Sequence, residues 1–448
     1  MTEMNQKFLA GTANRIITPP LGCQMAGFDA RKGTATDVHD DLHARALVLD
    51  DGRIQVALLS LEVIGVDREL ADDMRGRFSA NTGIPASNIV IAATHTHCGP
   101  VTFQHFFNQG QPLDSEYIRH LADQAVAAAE EAFAKRKPAS IRAGMVPAEG
   151  IARNRRTDDG EPADREAGVI VVEDADGSPV AVLVQFSCHT TVLGPNTLSI
   201  SADFPYGMGV HLRQALGDNV EVMFFNGAEG DISVGHKSDL SAVGVIAPFR
   251  TFEKAQELGV KLGSAVLEGL AGLAGQAPRL AVAQNTAMLP LKTYMPLAEL
   301  TEQREAAHRE LAALDQSEIT KELLMAKQRW LFARIEEYYA RLFEDAAGEG
   351  AKTLAAKLTA VRVGDVVLLS FPGEVFHGIG AEIRLHSPFA ATMFLGLAND
   401  YIGYIPTADA NASLGYEVVA SRVTPDAASV LVNAADELLQ SLKIGQEA

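Results

Sequence analysis

The stretch Ile89–Pro100, IVIAATHTHCGP, decides how the rest of the chain is read. Ile89 to Ala93 are apolar and mostly β-branched, the composition of a strand covered on both faces. The run then breaks into Thr94, His95, Thr96 and His97, before Gly99 and Pro100 turn the chain. At a spacing of two in an extended segment both imidazoles point to the same side, so His95 and His97 can face one site. For that pair alone, a chance surface pair or a satisfied core histidine stands evenly against a metal or catalytic role.

Similar runs recur outward from this stretch: Ile54 to Ser60, Val180 to Ser187, Val220 to Phe225, Val366 to Phe371 and Met393 to Leu397. Helical patterns lie between them. Asp114 caps a helix whose Ile118, Leu121, Ala125, Ala129 and Phe133 form one apolar stripe, and Phe252 to Leu273 reads similarly. The alternation predicts an α/β fold, with mixed, largely parallel sheets flanked by helices. From Leu297 to Asp345 the chain is rich in Glu, Arg, Leu and Ala, and reads as a helical hairpin turning about Asp315 to Ser317. Its aromatic residues, among them Trp330, Tyr338 and Tyr339, are expected to make it a lid or a contact between subunits of a homo-oligomer, with a plain packed core face the equal alternative. Without an internal repeat or a Pro- or Ser-rich linker, residues 1–448 read as a single domain that includes the excursion 297–345.

Composition narrows the partners. Among 448 residues, 38 Lys and Arg stand against 57 Asp and Glu, a formal net charge of -19. Nucleic acid and stable association with an anionic membrane surface are poor matches for that sign. No apolar run reaches the ~18 residues of a membrane span, and the N-terminal residues lack a basic region followed by an apolar one. Three cysteines, Cys23, Cys98 and Cys188, do not make a disulfide framework, and the expectation is a cytoplasmic protein.

Polar residues follow several of the strand runs. VLVQFSCHTT delivers His189, VMFFNGAEGDISVG delivers Asn226, Asp231 and Ser233, and VVLLSFPGEVF delivers Glu374. Ligands of open α/β sheets bind outside the carboxyl ends of strands. His95, His189 and Glu374 would form a set of two imidazoles and one carboxylate, which suits a catalytic zinc with a position left open for water. Such a metal lowers the pKa of water and polarises a carbonyl, as amide or ester hydrolysis requires.

The ordered series ITPP, GF, VHDDLHARALVL, ATHTHCGP, ARNRR, SCHTT, SADFPYG, GDIS, FPGEVF and LGYE resembles the catalytic domain of the neutral/alkaline ceramidase family. The resemblance implies a Zn2+-dependent amidase whose ligands fall on His95, His189, Glu374 and Tyr416. It also puts oxyanion donors on His97 and Arg155, with Arg153 as the alternative, and gives His39 and Arg45 supporting roles. Ser233 matches the family's GDVSPN as far as the serine, after which Val234 and Gly235 stand where the family has Pro and Asn. Metal-activated water is therefore expected as nucleophile, with Ser233 binding or positioning substrate. The small thiols of Cys98 and Cys188 read as buried rather than as metal ligands.

The resulting expectation is hydrolysis of an amide bond in a small N-acyl compound. An ester or lactone hydrolase on the same site, a metallophosphoesterase and a non-catalytic scaffold are the alternatives. The full ceramidases carry a secretory signal and a further immunoglobulin-like domain, which this sequence lacks, so a soluble substrate is expected in place of ceramide.

Overall fold

A computed structural model describes residues 8–444 except 110, 278 and 347–351. The first sheet comprises β1 (Leu9–Ile16), β2 (His43–Asp50), β3 (Gln55–Leu61), β4 (Ile89–Ala93), β5 (Lys137–Pro147), β6 (Glu166–Asp174), β7 (Pro179–Phe186) and β8 (Glu221–Asn226). Their spatial order is β8, β7, β6, β5, β1, β2, β3, β4, with a short strand added beside β5. The second sheet runs in chain order through β9 (Leu280–Pro290), β10 (Thr353–Val363), β11 (Val366–Ser370) and β12 (Ala391–Leu395).

The two sheets pack face to face, and helices cover both outer faces. Along β2, Ala44, Ala46 and Val48 face one core while Leu47 and Leu49 face the other; along β6, Val169 and Val171 alternate in the same way with Ile170 and Val172. The first core is closed by α1 (Arg68–Thr82), α2 (Ser115–Ala134), α3 (Phe204–Leu216) and α4 (Phe252–Gly269). Between the sheets, Leu58, Leu183 and Phe225 meet Val361, Leu368 and Met393. Strands sandwiched this way must be apolar at nearly every position, which is why the runs carry so little alternation. Each large side chain so buried contributes about 1.5–3 kcal/mol.

After β9 comes the helical hairpin of α5 (Leu297–Ala313) and α6 (Lys321–Ala346), and the outer face of the second sheet is covered by α7 (His377–His386) and α8 (Ala427–Ile444). Asp114 caps α2 as expected, accepting from Glu116 N and Tyr117 N. Among the described residues no helix is long and apolar enough to cross a membrane.

The α/β class is the expected one, and its sheets are mixed. Parallel pairing joins β3 to β4, β7 to β8 and β11 to β12, and the other neighbours within the two sheets run antiparallel. The parallel pairs matter most, because the candidate residues follow their carboxyl ends. The chain leaving β12 ties those ends together. Gly396 N donates to Asn226 O at 2.9 Å, Ala93 N to Leu397 O at 3.2 Å, and Asn399 N to Ile91 O at 2.8 Å. Ile91 N returns a bond to Asn399 Oδ1 at 3.0 Å.

The hairpin finds a partner for its aromatic face within the chain. Leu331, Ile335 and Tyr339 of α6 are buried against Phe106, Phe376, Tyr404 and Val419. Tyr339 Oη donates to Ala420 O at 3.0 Å, and Arg334 Nη1 reaches both carboxylate oxygens of Asp29 at 2.9 Å.

His105 sits in the same packing, its ring against Phe106, Phe107, Tyr338 and Tyr401. Burial lowers its pKa to about 3. The unfolded chain binds this proton near the ordinary value of about 6.5, so between those two pH values the unfolded state holds more protons. Stability should be level above pH 6.5 and should fall as pH is lowered below it. Denaturant midpoints from pH 7 to pH 4 are expected to drop, and His105→Leu should remove on the order of 3 kcal/mol of that pH dependence. An unchanged slope in the variant would exclude His105 as its source.

Candidate metal centre

His95 follows β4, His189 follows β7, and Glu374 follows β11, so three strand ends supply one cluster. His189 Nε2 lies 2.9 Å from Glu374 Oε2, and His95 Nε2 lies 3.5 Å from the same oxygen. His97 Nε2 is 3.3 Å from His95 Nε2. Both imidazoles of the 95/97 pair therefore face one site, but not through extended backbone: His95 has φ 70°, a conformation that costs a non-glycine residue strain. Two bonds hold it there, His95 N to Val63 O at 3.0 Å and Nδ1 to Ile64 O at 2.6 Å.

The other ring nitrogens decide what the cluster can do. A backbone carbonyl only accepts, so His95 Nδ1 must carry the proton it gives to Ile64 O. His189 Nδ1 likewise donates to Glu229 O at 2.8 Å and Ile232 O at 3.0 Å. Burial, with the nearby Arg155 charge, lowers the His189 pKa to about 4, so the ring is neutral and its Nε2 presents a lone pair. The Nε2 atoms of both rings thus converge on one carboxylate oxygen. Glu374 is ionised, since His95 and His189 outweigh the effect of its burial and hold its pKa well below the usual range. Its other oxygen, Oε1, accepts from Tyr401 Oη at 2.6 Å. Two ring nitrogens and a carboxylate oxygen turned to one point make a donor set that suits a cation, and the outer nitrogens fix the tautomers as metal-bound histidines require. The nitrogens of His95, His97 and His189 also lie within 4.8 Å of one another and could hold a metal ion.

Beside the cluster is a cavity of about 40 Å³, lined by His97, Arg155, Tyr404, Tyr416, His236 and Phe28, among others. Arg155 is buried; its Nη2 donates to Gly230 O at 2.8 Å and Tyr404 Oη at 3.1 Å, and its Nε is 2.7 Å from Glu417 Oε1. Burial opposes its charge, but Tyr404, Glu417 and Glu374 more than offset that and raise its pKa. Arg153 is exposed and bound to Asp159 O, so of the two arginines Arg155 reaches the cavity. Tyr416 lines the same space, its ring 6.0 Å from Tyr404. Tyr404 is in register with Glu374 in a short parallel bridge, and its ring lies 6.4 Å from His189.

Ser233 is fully buried. Its Oγ donates to His236 O at 2.9 Å and accepts from Gly235 N at 3.2 Å, a local turn in which no base touches it. His39 and Arg45 are not brought to the cluster: His39 stacks on Phe252 at 4.0 Å, and Arg45 is held by Glu62 and Glu221 at the amino-terminal end of β8. A cavity of about 810 Å³ opens beside Arg45, but none of the candidate catalytic residues lines it. Cys98 and Cys188 are buried thiols, the Cys98 pKa pushed up to about 12 by burial.

Sequence reasoning passed over Tyr401, Tyr404, His236 and Glu229. The tyrosines follow the Met393 to Leu397 run, whose polar continuation was the available signal. Glu229 carried none; it is buried with neither carboxylate oxygen partnered among the described residues, and burial together with Glu374 raises its pKa well above normal.

Residues 8–216 match the model of the neutral/alkaline non-lysosomal ceramidase family, N-terminal region. Over those residues the chain is similar to this family. The matched segment contains His95, His97, Arg155 and His189, while Ser233, Glu374, Tyr404 and Tyr416 lie beyond it. Two solved structures share the whole fold. A ceramidase described as complexed with C2 aligns with a TM-score of 0.75 at 17% identity, over 98% of this chain and 76% of that one. Neutral ceramidase from Pseudomonas aeruginosa aligns with a TM-score of 0.74 at 18% identity, over 98% and 75%. At these identities the likeness is one of fold. No sequence match is found among curated proteins.

Gly27 tests how tightly its loop supports His97. It has φ +95°, and a Cβ there would stand 2.3 Å from His97 Cγ and Nδ1; Gly22, with φ +86°, has nothing within 4 Å. Gly22→Ala should cost only the backbone strain, about 1–2 kcal/mol. Gly27→Ala should cost at least about 1 kcal/mol more and shift the His97 ring resonances. Equal denaturation midpoints for the two variants would contradict this contact.

Proposed function

We propose that the protein is a zinc-dependent hydrolase of the amide bond in a small N-acyl compound. The match to the ceramidase family model over residues 8–216 supports a hydrolase acting on amide bonds. The observation that carries the zinc reading is the convergence of the His95 and His189 Nε2 atoms on the Glu374 carboxylate. Zinc bound there supplies Lewis acidity and brings the pKa of water down toward neutrality.

The chain's own groups do the remainder. His189 and His95 keep fixed tautomers through their backbone carbonyl partners, and Tyr401 restrains Glu374. Arg155 and His97 border the cavity where the scissile carbonyl would lie, and fixed donors there stabilise developing negative charge on its oxygen. Ser233 binds its own turn and helps position the loop that carries His236; trapping a covalent acyl-Ser233 would replace this role by a nucleophilic one.

A phenolate completes the ligand set. Tyr416 comes from the family motif, and Tyr404 is favoured by its register with Glu374 and by the bond from Arg155, which helps an ionised oxygen. Metal analysis of Tyr404→Phe and Tyr416→Phe separates them: the ligand's loss should lower zinc affinity, and the other variant should keep a full equivalent. His189→Ala should abolish stoichiometric zinc, and a full equivalent in that variant would refute the site. His97→Ala and Arg155→Ala should retain zinc and lose about a hundredfold in rate, as for oxyanion donors; zinc loss in His97→Ala would make His97 a ligand instead.

The substrate is read as small and soluble because a formal net charge of -19 opposes approach to an anionic bilayer surface, and a cytoplasmic setting is read from three free cysteines. Turnover of short N-acyl amides, esters and lactones should exceed that of long-chain ceramide in mixed micelles. A much higher kcat/KM for ceramide would overturn the substrate class and leave the metal chemistry intact.

A further inference from the structure

Away from the candidate centre, a cleft of about 360 Å³ opens on the two helices of the hairpin. Trp330, Arg334, Glu337 and Arg341 recur every three or four residues along α6, and Arg304 and His308 do so along α5, so each set falls on one helix face. All six line the cleft, together with Gln109. In a chain of formal net charge -19, three guanidinium groups against one carboxylate reverse the sign locally.

That one carboxylate is already shared. Glu337 is buried, and it takes Arg304 Nε at 2.5 Å on Oε2, with Arg341 Nη2 at 3.2 Å and Thr301 Oγ1 at 2.9 Å on Oε1. Two guanidinium groups are thereby fixed beside one another on a single negative charge. Glu305, which does not line the cleft, lies 3.6 Å from Arg304 Nη2 and is more than half exposed, where solvent screens it. Arg334 is oriented from two sides: its Cζ stands 4.7 Å from the centre of the Trp330 ring, and its Nη1 donates to both oxygens of Asp29. Each guanidinium carries five N–H donors, and these contacts leave several of them unused. Anions with more than one acceptor oxygen match such forks.

We propose that this cleft binds a small dianion, a phosphate monoester or a dicarboxylate, whose oxygens are shared among Arg304, Arg334 and Arg341. The inference does not rest on the amidase reading. Asp29 lines the cavity beside His97 and Arg334 lines the cleft, so one ion pair joins the dianion's site to the candidate centre.

Trp330 is the one tryptophan of the chain, so its emission reports on this site. The full chain is titrated with methyl phosphate and with succinate, in phosphate-free buffer of low ionic strength, with acetate as the monoanion control. Emission should change saturably, with a half-saturation concentration for the better dianion at least about tenfold below that for acetate, and added NaCl should raise it. The double variant Arg304→Gln, Arg341→Gln should weaken binding by about tenfold or more, whereas Arg53→Gln, at an exposed position in the turn between β2 and β3, should leave it unchanged. Calorimetry with the same probes decides. No saturable heat from either dianion, equal affinity for acetate, or parental affinity in the double variant overturns the proposal. If circular dichroism shows the double variant unfolded, Arg341→Gln alone, at an exposed position, carries the same test. The tighter of methyl phosphate and succinate names the source of the dianion.

Discussion

The bonds that lash the chain after β12 to the ends of β4 and β8 are the constraint on which the site depends. His95 and His189 belong to one sheet and Glu374 to the other, and stacked sheets are separated by about 10 Å. Three groups on opposite sides of such a gap meet only if the two sheets are held in register at one edge. Gly396, Leu397 and Asn399 supply that register through backbone bonds and the Asn399 side chain. The left-handed backbone of Leu397 and Asn399, at φ 53° and 64°, is the local strain that accompanies the crossing. Buried strands and a continuous core between the sheets make the strain tolerable, because the surrounding packing over-determines the path.

Charge is arranged around the cluster by pairing each buried ion with a specific partner. Glu417 lies between Arg155 and Arg156, and Asp29 is held by Arg334. Removing one member of such a pair leaves the other uncompensated in a dry environment, which costs more than the pair contributes. A formal net charge of -19 for the whole chain is thus no guide to the field inside the cavity, which both Arg155 and Asp29 line.

The sequence revealed the fold to the extent that burial leaves a mark. All six apolar runs became strands to within a residue or two, since a strand covered on both faces has almost no room for polar residues. The strands Leu280–Pro290 and Thr353–Val363 went unread because their composition, LAVAQNTAMLP and TLAAKLTAVRV, is mixed; Leu9–Ile16, His43–Asp50, Lys137–Pro147 and Glu166–Asp174 of the first sheet went unread as well, although His43–Asp50 is buried almost throughout. The helical hairpin was legible from composition and turned where Asp315 and Ser317 indicated. Within the site, residues directly following strands could be found by inspection. Glu229 could not, because what marks it is what it lacks, a partner in a buried place, and that is a property of three-dimensional neighbours. The convergence of His95 and His97 came out as expected for a different reason, a left-handed residue in place of an extended pair.

The inner face of α6 doubles as a wall of the site: Tyr339, Leu331 and Ile335 pack on Phe106 and Tyr404, and Tyr404 in turn touches the cavity. A wall made of a docked helix has a yield point. Its resistance to a larger occupant is the free energy that seats the hairpin, so size exclusion at this site is a thermodynamic threshold set by aromatic packing and the Arg334–Asp29 pair. Substitutions on the far side of α6, remote from any ligand, therefore tune the same threshold as those that line the cavity.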